Sequence, residues 1–249
     1  MKKQLIYRKL AKYYDLLYLW KDYKEEAGRL KKLILKYKNS RGQKLLDVAC
    51  GTGMHLKYLK KDFSCMGTDT NEGMLRVARK NIKGVTFKKA NMISLNLNKK
   101  FDIITCLFSS IGYVKTYLNL RKTINNLAKH LKPGGILIIE PWFTKRIYKV
   151  GLPHMTTYNG ENVKIARLNT SKRKRNISYM TMHYLIAEKN KDVKYFVDRH
   201  ELGLFERNKT LEILGKAGFE AWFIEKGFKQ TLKMKSRGLY IGIKNKYEK

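Results

Sequence analysis

The segment Leu45–Gly53, which reads LLDVACGTG, constrains the fold more than any other stretch of the chain. A short apolar run, Lys44–Ala49, reads as a buried strand. It turns through Gly51 and Gly53 into a helical pattern over Met54–Lys61. Glycines are needed where a ligand touches the backbone, because a Cβ would fill that space. The amides that open the helix then face an electron-rich ligand. Asp69 closes the next strand, 22 residues after Asp47. A carboxylate at that strand end can accept both hydroxyls of a ribose in charge-assisted hydrogen bonds, each worth about 1.5–3 kcal/mol.

The rest of the chain keeps the rhythm that this segment sets. Strands are expected at Ser64–Thr68, Val85–Phe87, Phe101–Leu107 and Ile136–Glu140, with helices at Glu72–Asn81 and Tyr117–Leu131 between them. The cluster Lys132-Pro133-Gly134-Gly135 should stop the second of these helices. Apolar positions at helical spacing (Leu10, Tyr14 and Leu17, then Ala27, Leu30, Leu33 and Ile34) predict two helices before the first strand. Strands alternating with helices imply a doubly wound parallel sheet. After residue 150 the pattern changes. Val163–Leu168, Ile177–Ala187 and Lys194–Phe205 are strand-like with no helix between them, which predicts a small antiparallel cap. A helix over Asn208–Ala217 and strands near Phe219–Glu225 and Gly238–Ile243 close the chain. The expected organisation over 1–249 is one domain. It comprises N-terminal helices (1–40), a cofactor-binding half (41–140), the cap insertion (141–206), and a final helix and strands (207–249).

Composition narrows the setting. No apolar run is long enough to span a bilayer, and the N-terminal residues lack a signal-peptide core, so a cytoplasmic protein is expected. Cys50, Cys65 and Cys106 form no CxxC pair and read as small core residues rather than zinc ligands. Lysine plus arginine number 54 against 20 acids, a formal charge of +34. Such a field attracts anions, which leaves open a nucleic acid, an anionic membrane surface or a phosphorylated small molecule. A lysine-rich background with solvated faces reads equally well. The one dense run is Lys172–Arg175.

A dinucleotide site would want a third glycine, GxGxxG, but His55 and Leu56 stand after Gly53-Met54. An acid four residues before the first glycine, with LKPGG ahead of the fifth strand, is similar instead to the class I S-adenosylmethionine-dependent methyltransferases. That resemblance implies a Rossmann-like α/β fold with a mostly parallel seven-stranded sheet, and S-adenosylmethionine as cofactor. Asn91-Met92 takes the place where an aspartate usually reads the adenine amino group; Asn91 can still accept that bond through its amide oxygen.

Further segments sharpen the resemblance. Lys21-Asp22-Tyr23 and Glu26-Ala27, FSSIGY at Phe108–Tyr113, Glu140-Pro141-Trp142, Met182-His183-Tyr184 and Ser236-Arg237-Gly238-Leu239 resemble the sugar-nucleotide N,N-dimethyltransferases that finish amino deoxysugars such as desosamine and mycaminose. Carried over by position, the resemblance implies that Tyr113 lies beside the reacting amine, with Glu140 orienting the ring. Tyr7, Ser109, Trp142 and Arg237 would meet the acceptor, Arg237 near a diphosphate. Tyr14 and Tyr23 would close over the methionine end of the cofactor. Asp47, Ala49, Gly51, Gly53, Asp69, Thr70, Met74, Asn91, Met92 and Leu107 would surround the rest of it. Tyr14 also fits plain core packing by its spacing from Leu10 and Leu17, and Arg237 could be one more surface cation. His55 is expected to face the glycine loop or solvent, and His183 and His200 to be structural. Tyrosine's high ordinary pKa makes it a poor base at neutral pH, so catalysis by alignment is expected.

Three functions follow: N-methylation of a small amine, RNA methylation argued from charge, or a non-catalytic binding protein of this fold. The Asn/Asp-Pro-Pro-aromatic loop of nucleic-acid amine methylation is absent, since FSSIGY stands there. The intact Asp47, Gly51, Gly53 and Asp69 speak against a protein that has lost its cofactor. The expected partner is an anionic small-molecule acceptor. No metal site is expected, and a homodimer stays open.

Overall fold

The computed structural model describes residues 4–7, 10–228 and 237–246. Met1–Lys3, Arg8 and Ser236, which entered the sequence reading, lie outside the described residues. Two helices come first, α1 (Ala11–Leu17) and α2 (Tyr23–Tyr37). The Asp22 carboxylate caps α2 by accepting from the Glu25 amide at 2.8 Å, with Glu25 and Glu26 in the first turn where the helix dipole favours acids. The alternating core follows: β1 (Lys44–Val48), α3 (Met54–Leu59), β2 (Ser64–Asp69), α4 (Glu72–Asn81), β3 (Thr86–Lys89), β4 (Phe101–Cys106), α5 (Tyr117–His130) and β5 (Leu131–Ile139). Cap strands β6 (His154–Asn159), β7 (Val163–Lys174), β8 (Ile177–Glu188) and β9 (Lys194–Gly203) precede α6 (Arg207–Lys216), β10 (Phe219–Ile224) and β11 (Leu239–Lys244).

The main sheet has seven strands in the order β10-β11-β5-β4-β1-β2-β3. It is parallel apart from β11, which runs antiparallel to both β5 and β10. Every residue of β4 is buried, as expected for a central strand covered on both faces. Successive residues feed opposite layers: Leu46, Ile104 and Leu137 pack with α5, while Leu45, Ile103 and Ile136 pack with Leu30 and Ile34 of α2. Strand order reverses between β1 and β4, so the loops after them part and open a crevice at their carboxyl ends.

Two expectations need correction. The helix ends at His130, ahead of the Lys132–Gly135 cluster as expected, but the fifth strand starts at Leu131 rather than Ile136. Leu131 pairs with Phe101, the register then jumps to Ile136 opposite Ile103, and the residues between bulge out of the ladder. The Gly134 carbonyl accepts from Asn39 N (2.8 Å) and Ser40 N (2.9 Å), and Lys132 Nζ reaches Asp102 at 3.2 Å, so the bulge finds its partners in the α2–β1 linker and β4. The cap has four strands rather than three, because β6 pairs with β7 from His154↔Asn169 to Asn159↔Lys164. Its sequence, HMTTYN, carries too few apolar residues to announce a strand. Lys172–Arg175 is exposed at the β7–β8 hairpin.

The inner face of the cap follows from strand parity. Ile165, Tyr184 and Ile186 point inward and pack with Ile6, Leu10, Tyr13 and Leu17, so α1 lies between cap and body. Among the described residues, no helix is long and apolar enough to cross a membrane.

Candidate active site

At the end of β1, Ala49 (φ 57°), Gly51 (φ 57°) and Gly53 (φ 78°) adopt left-handed backbone, and a Cβ on Gly53 would come within 2.9 Å of Ile82. Asp69 faces this loop from the end of β2. Its Oδ2 accepts from Gly51 N at 3.0 Å and its Oδ1 from Asn71 N at 2.8 Å. Burial raises the Asp69 pKa, while the amides of Asn71, Gly51 and Thr70 pull it back. Asp47 lies behind the loop, 2% exposed, and accepts from Thr105 Oγ1 at 2.7 Å. Burial pushes its pKa up to about 6, against the opposing effects of His55 and Thr105. That bond ties β1 to β4 behind the loop. Met74, Met92 and Leu107 are buried nearby in the sequence of the same strand ends, whereas Thr70 and Asn91 are exposed. The Asn91 side-chain oxygen accepts from Ile93 N at 3.0 Å, starting a short 3₁₀ turn over Met92–Ser94.

The loop after β4 is the second half of the site. Phe108 (φ 51°) and Ser109 (φ 62°) hold left-handed conformations that cost non-glycine residues energy. Buried Glu140, just past β5, accepts from Phe108 N at 2.7 Å, and Ser109 Oγ donates to the Pro141 carbonyl at 2.7 Å. Those two bonds fasten the loop to the next strand end. Ser109 Oγ also accepts from Arg237 Nη1 at 2.8 Å. The Arg237 guanidinium lies 4.7 Å from the Trp142 ring centroid and 4.8 Å from that of Phe143. Burial lowers its pKa and the nearby Glu140 opposes that shift. Trp142 is tied to the cap through Nε1, which donates to Ser178 Oγ at 3.0 Å. Ser109 therefore holds Arg237 in place, and Arg237 is not a surface cation.

A phenol cluster forms the third part. Tyr113 Oη lies 2.7 Å from Tyr7 Oη and 2.8 Å from His200 Nδ1. Gln4 Nε2 also reaches His200 Nδ1, at 3.0 Å, and both bonds are satisfied when Nδ1 accepts. Asp198 accepts from Leu5 N (2.8 Å) and Ile6 N (2.7 Å) and pins this N-terminal segment to the cap. Tyr14 lies between Tyr7 and Tyr18, with ring centroids 5.8 and 4.8 Å away, and Tyr18 meets Phe108 edge-on at 5.1 Å. Burial drives the pKa values of Tyr7, Tyr14 and Tyr113 upward, so these phenols keep their protons at neutral pH. Burial pushes the His200 pKa down to about 4, leaving the imidazole neutral.

Residues 45–135 match a protein family described as a methyltransferase domain. The dTDP-3-amino-3,4,6-trideoxy-alpha-D-glucopyranose N,N-dimethyltransferase of Streptomyces venezuelae is 33% identical over 236 residues, covering 94% of this chain and 97% of the relative. The chain belongs to the class I S-adenosylmethionine-dependent methyltransferases, in the branch of the sugar N,N-dimethyltransferases. The crystal structure of Streptomyces venezuelae DesVI superposes with a TM-score of 0.86 at 33% identity, covering 94% of this chain and 98% of that one. SAM-bound CalS10, an amino pentose methyltransferase of Micromonospora echinaspora, gives a TM-score of 0.79 at 27% identity over 90% of this chain and 92% of that one.

The methyltransferase cofactor suits the residues present. A carboxylate offers about four lone-pair sites, so beside the loop amides Asp69 keeps capacity to accept from a ribose hydroxyl. The glycine turn leaves the adjacent backbone free of side chains.

Several participants escaped the sequence reading. His55 does not face solvent. It is 6% exposed, and its Nε2 lies 2.7 Å from Glu26 Oε2, while Lys21 Nζ donates to the other Glu26 oxygen. Lys21 Nζ also stands 4.6 Å from the Phe108 ring centroid, and Tyr23 meets His55 edge-on at 5.0 Å. The methyltransferase thus carries a buried ionic group where α2 meets α3. Tyr18 was legible as the residue four beyond Tyr14. His200 shares the inward parity of Asp198 and Leu202, which marks it as buried.

Proposed function

We propose that this enzyme transfers a methyl group from S-adenosylmethionine to the amino group of a nucleotide-linked amino sugar, and that the acceptor carries its negative charge toward Arg237. The arrangement that carries this reading is the pairing of Arg237 and Tyr113 on either end of one short loop. It sets a half-buried cation at one end of the loop after β4 and a proton-keeping phenol at the other. The names of the similar enzymes support the same acceptor class. Because sugar nucleotides are cytoplasmic metabolites, we infer the cytoplasm as the site of action.

The cofactor supplies an electrophilic methyl on sulfonium sulfur. Asp69 would accept the ribose hydroxyls, and Asn91 and Met92 would border the adenine. Ala49, Gly51, Gly53, Thr70, Met74 and Leu107 would line the remaining contact, with Tyr14 and Tyr23 at the methionine end. Glu140 acts behind this surface by fixing the loop after β4, and Asp47 by tying β1 to β4.

Nucleophilic attack needs a neutral amine with its lone pair on the sulfur–methyl axis. With Tyr7 donating to Tyr113 and Tyr113 donating to His200, one lone pair stays open on Tyr113 Oη. An amine N–H given to that lone pair would fix the direction of attack. His200 accepts a hydrogen bond without taking the proton, because its pKa lies near 4. The residues therefore align the amine and leave its deprotonation to solvent; alignment alone can supply several kcal/mol. Steady-state kinetics with a dTDP-linked 3-amino sugar test the reading. The expected result is saturable turnover that Tyr113→Phe slows without changing S-adenosylhomocysteine affinity. Saturable methylation of RNA with an inert amino sugar would overturn it.

A further inference from the structure

The cap sheet buries an arginine that meets no counter-ion among the described residues. Arg167 on β7 takes the inward parity set by Ile165 and is 7% exposed. Its row across the cap is Thr156, Arg167, Tyr184 and Phe196. Nη1 donates to the Tyr18 hydroxyl at 2.9 Å and Nη2 to Thr156 Oγ1 at 2.8 Å. Nε has no partner, and among the described residues no carboxylate pairs with the guanidinium. Hydroxyls solvate the charge without neutralising it. An isolated buried ion costs several kcal/mol even after relaxation, and arginine does not escape by losing its proton. A cation kept in that state points to an anion that arrives with a ligand.

Arg237 is a second guanidinium with an unpartnered donor, although it has the Glu140 carboxylate nearby. One N–H goes to Ser109, Nε is without a partner, and its face lies against Trp142 and Phe143. Tyr18 links the two: its hydroxyl binds Arg167 and lies within electrostatic reach of Arg237. One guanidinium belongs to the cap and the other to the body.

We propose that Arg167 is the second arm of a two-guanidinium anion site and that it binds a phosphoryl group of the acceptor. The proposal rests on the reading of the acceptor as nucleotide-linked, and extends it to a residue on the cap. The guanidinium fork matches phosphate oxygens two at a time. Arms from separate layers would take one phosphoryl group of a diphosphate each, and so tie cap to body only when acceptor is present. The sequence signal is a cation at an inward position of an otherwise apolar parity, Val163, Ile165, Arg167.

Titration calorimetry on the full chain saturated with S-adenosylhomocysteine tests this, with inorganic pyrophosphate and orthophosphate as probes. The wild type should bind pyrophosphate more tightly than orthophosphate. Arg167→Met should weaken pyrophosphate binding about tenfold or more, and Arg167→Lys, which keeps the charge and loses the fork, should fall between. Both variants should bind S-adenosylhomocysteine like the wild type. Without anion, Arg167→Met should melt above the wild type, because an uncompensated charge has been removed. Wild type that ignores pyrophosphate, or binds orthophosphate equally well, overturns the two-armed site. So does an Arg167→Met protein that melts lower and binds pyrophosphate unchanged, which marks a structural strut. Methyl transfer measured in parallel separates the two claims. Turnover on an amino-sugar nucleotide with an unchanged KM in Arg167→Met overturns the Arg167 site alone. Arg167-dependent pyrophosphate binding with no turnover on any such acceptor overturns the acceptor reading and keeps the anion site.

Discussion

The glycine-loop end of the crevice and its cap-facing side differ in their charged groups. The first is acidic: Asp69 sits on the loop amides, Asp47 on Thr105, Asp15 accepts from Thr52, and Glu26 lies between Lys21 and His55. The second sets two guanidinium groups, Arg167 and Arg237, among the buried carboxylates Asp198 and Glu140, an imidazole kept neutral and phenols that keep their protons. Acids suit a ligand rich in hydroxyl donors and bearing a sulfonium; cations suit an anionic acceptor. An amine held near buried cations also loses its proton more readily, since like charge lowers the pKa of an ammonium.

Variants on one side should leave the other untouched, and that independence is where the comparison can break. The largest effect is expected from Asp69→Ala. Losing two charge-assisted bonds to ribose should weaken S-adenosylhomocysteine about a hundredfold, with the acceptor KM little changed at saturating cofactor. Calorimetry and kinetics together check it; a matching rise in acceptor KM would merge the two sites. Next comes Arg237→Met, which should raise the acceptor KM about tenfold with cofactor affinity intact. Equal loss of both affinities would show that Arg237 shapes the whole crevice.

Tyr113→Phe should lower kcat about fivefold with no effect on cofactor binding, the pattern of a group that aligns the amine. A kcat equal to wild type would remove Tyr113 from the reaction. The smallest effect concerns stability. The folded His200 pKa is about 4 against an ordinary 6.5, so the unfolded chain takes up the proton first as pH falls. Stability should therefore decline between about pH 6.5 and 4, and the slope should shrink in His200→Gln. Chemical denaturation at several pH values measures it, and an unchanged slope would place His200 in contact with solvent.

These two regions also differ in how far the sequence discloses them. The glycine loop is local: Asp47, Gly51 and Gly53 lie within one strand–turn–helix, and each residue type has its own steric or bonding reason to be there. The alternation that places Asp69 at a strand end is equally local. The phenol cluster is not. Tyr7, Tyr113 and His200 meet from the N-terminal segment, the β4 loop and the cap, and no spacing along the chain encodes that meeting. Family resemblance supplied Tyr7, Tyr113 and Arg237, while Arg167 and His200 needed the parity of paired cap strands to show which way they face. LKPGG marked the end of the helix but hid the start of β5, because proline and glycine mark a bulge as readily as a helix stop. β6 went unseen because its pairing with β7, rather than its own composition, makes it a strand.

The central claim is N-methylation of a nucleotide-linked amino sugar, and mass spectrometry of that acceptor tests it most directly. The full chain would be incubated with S-adenosylmethionine and a dTDP-linked 3-amino sugar, in competition with bulk tRNA. The account predicts that the amino sugar gains methyl mass on nitrogen, that S-adenosylhomocysteine forms in step, and that the RNA stays unlabelled. An amino sugar recovered unchanged while label enters the RNA would contradict it.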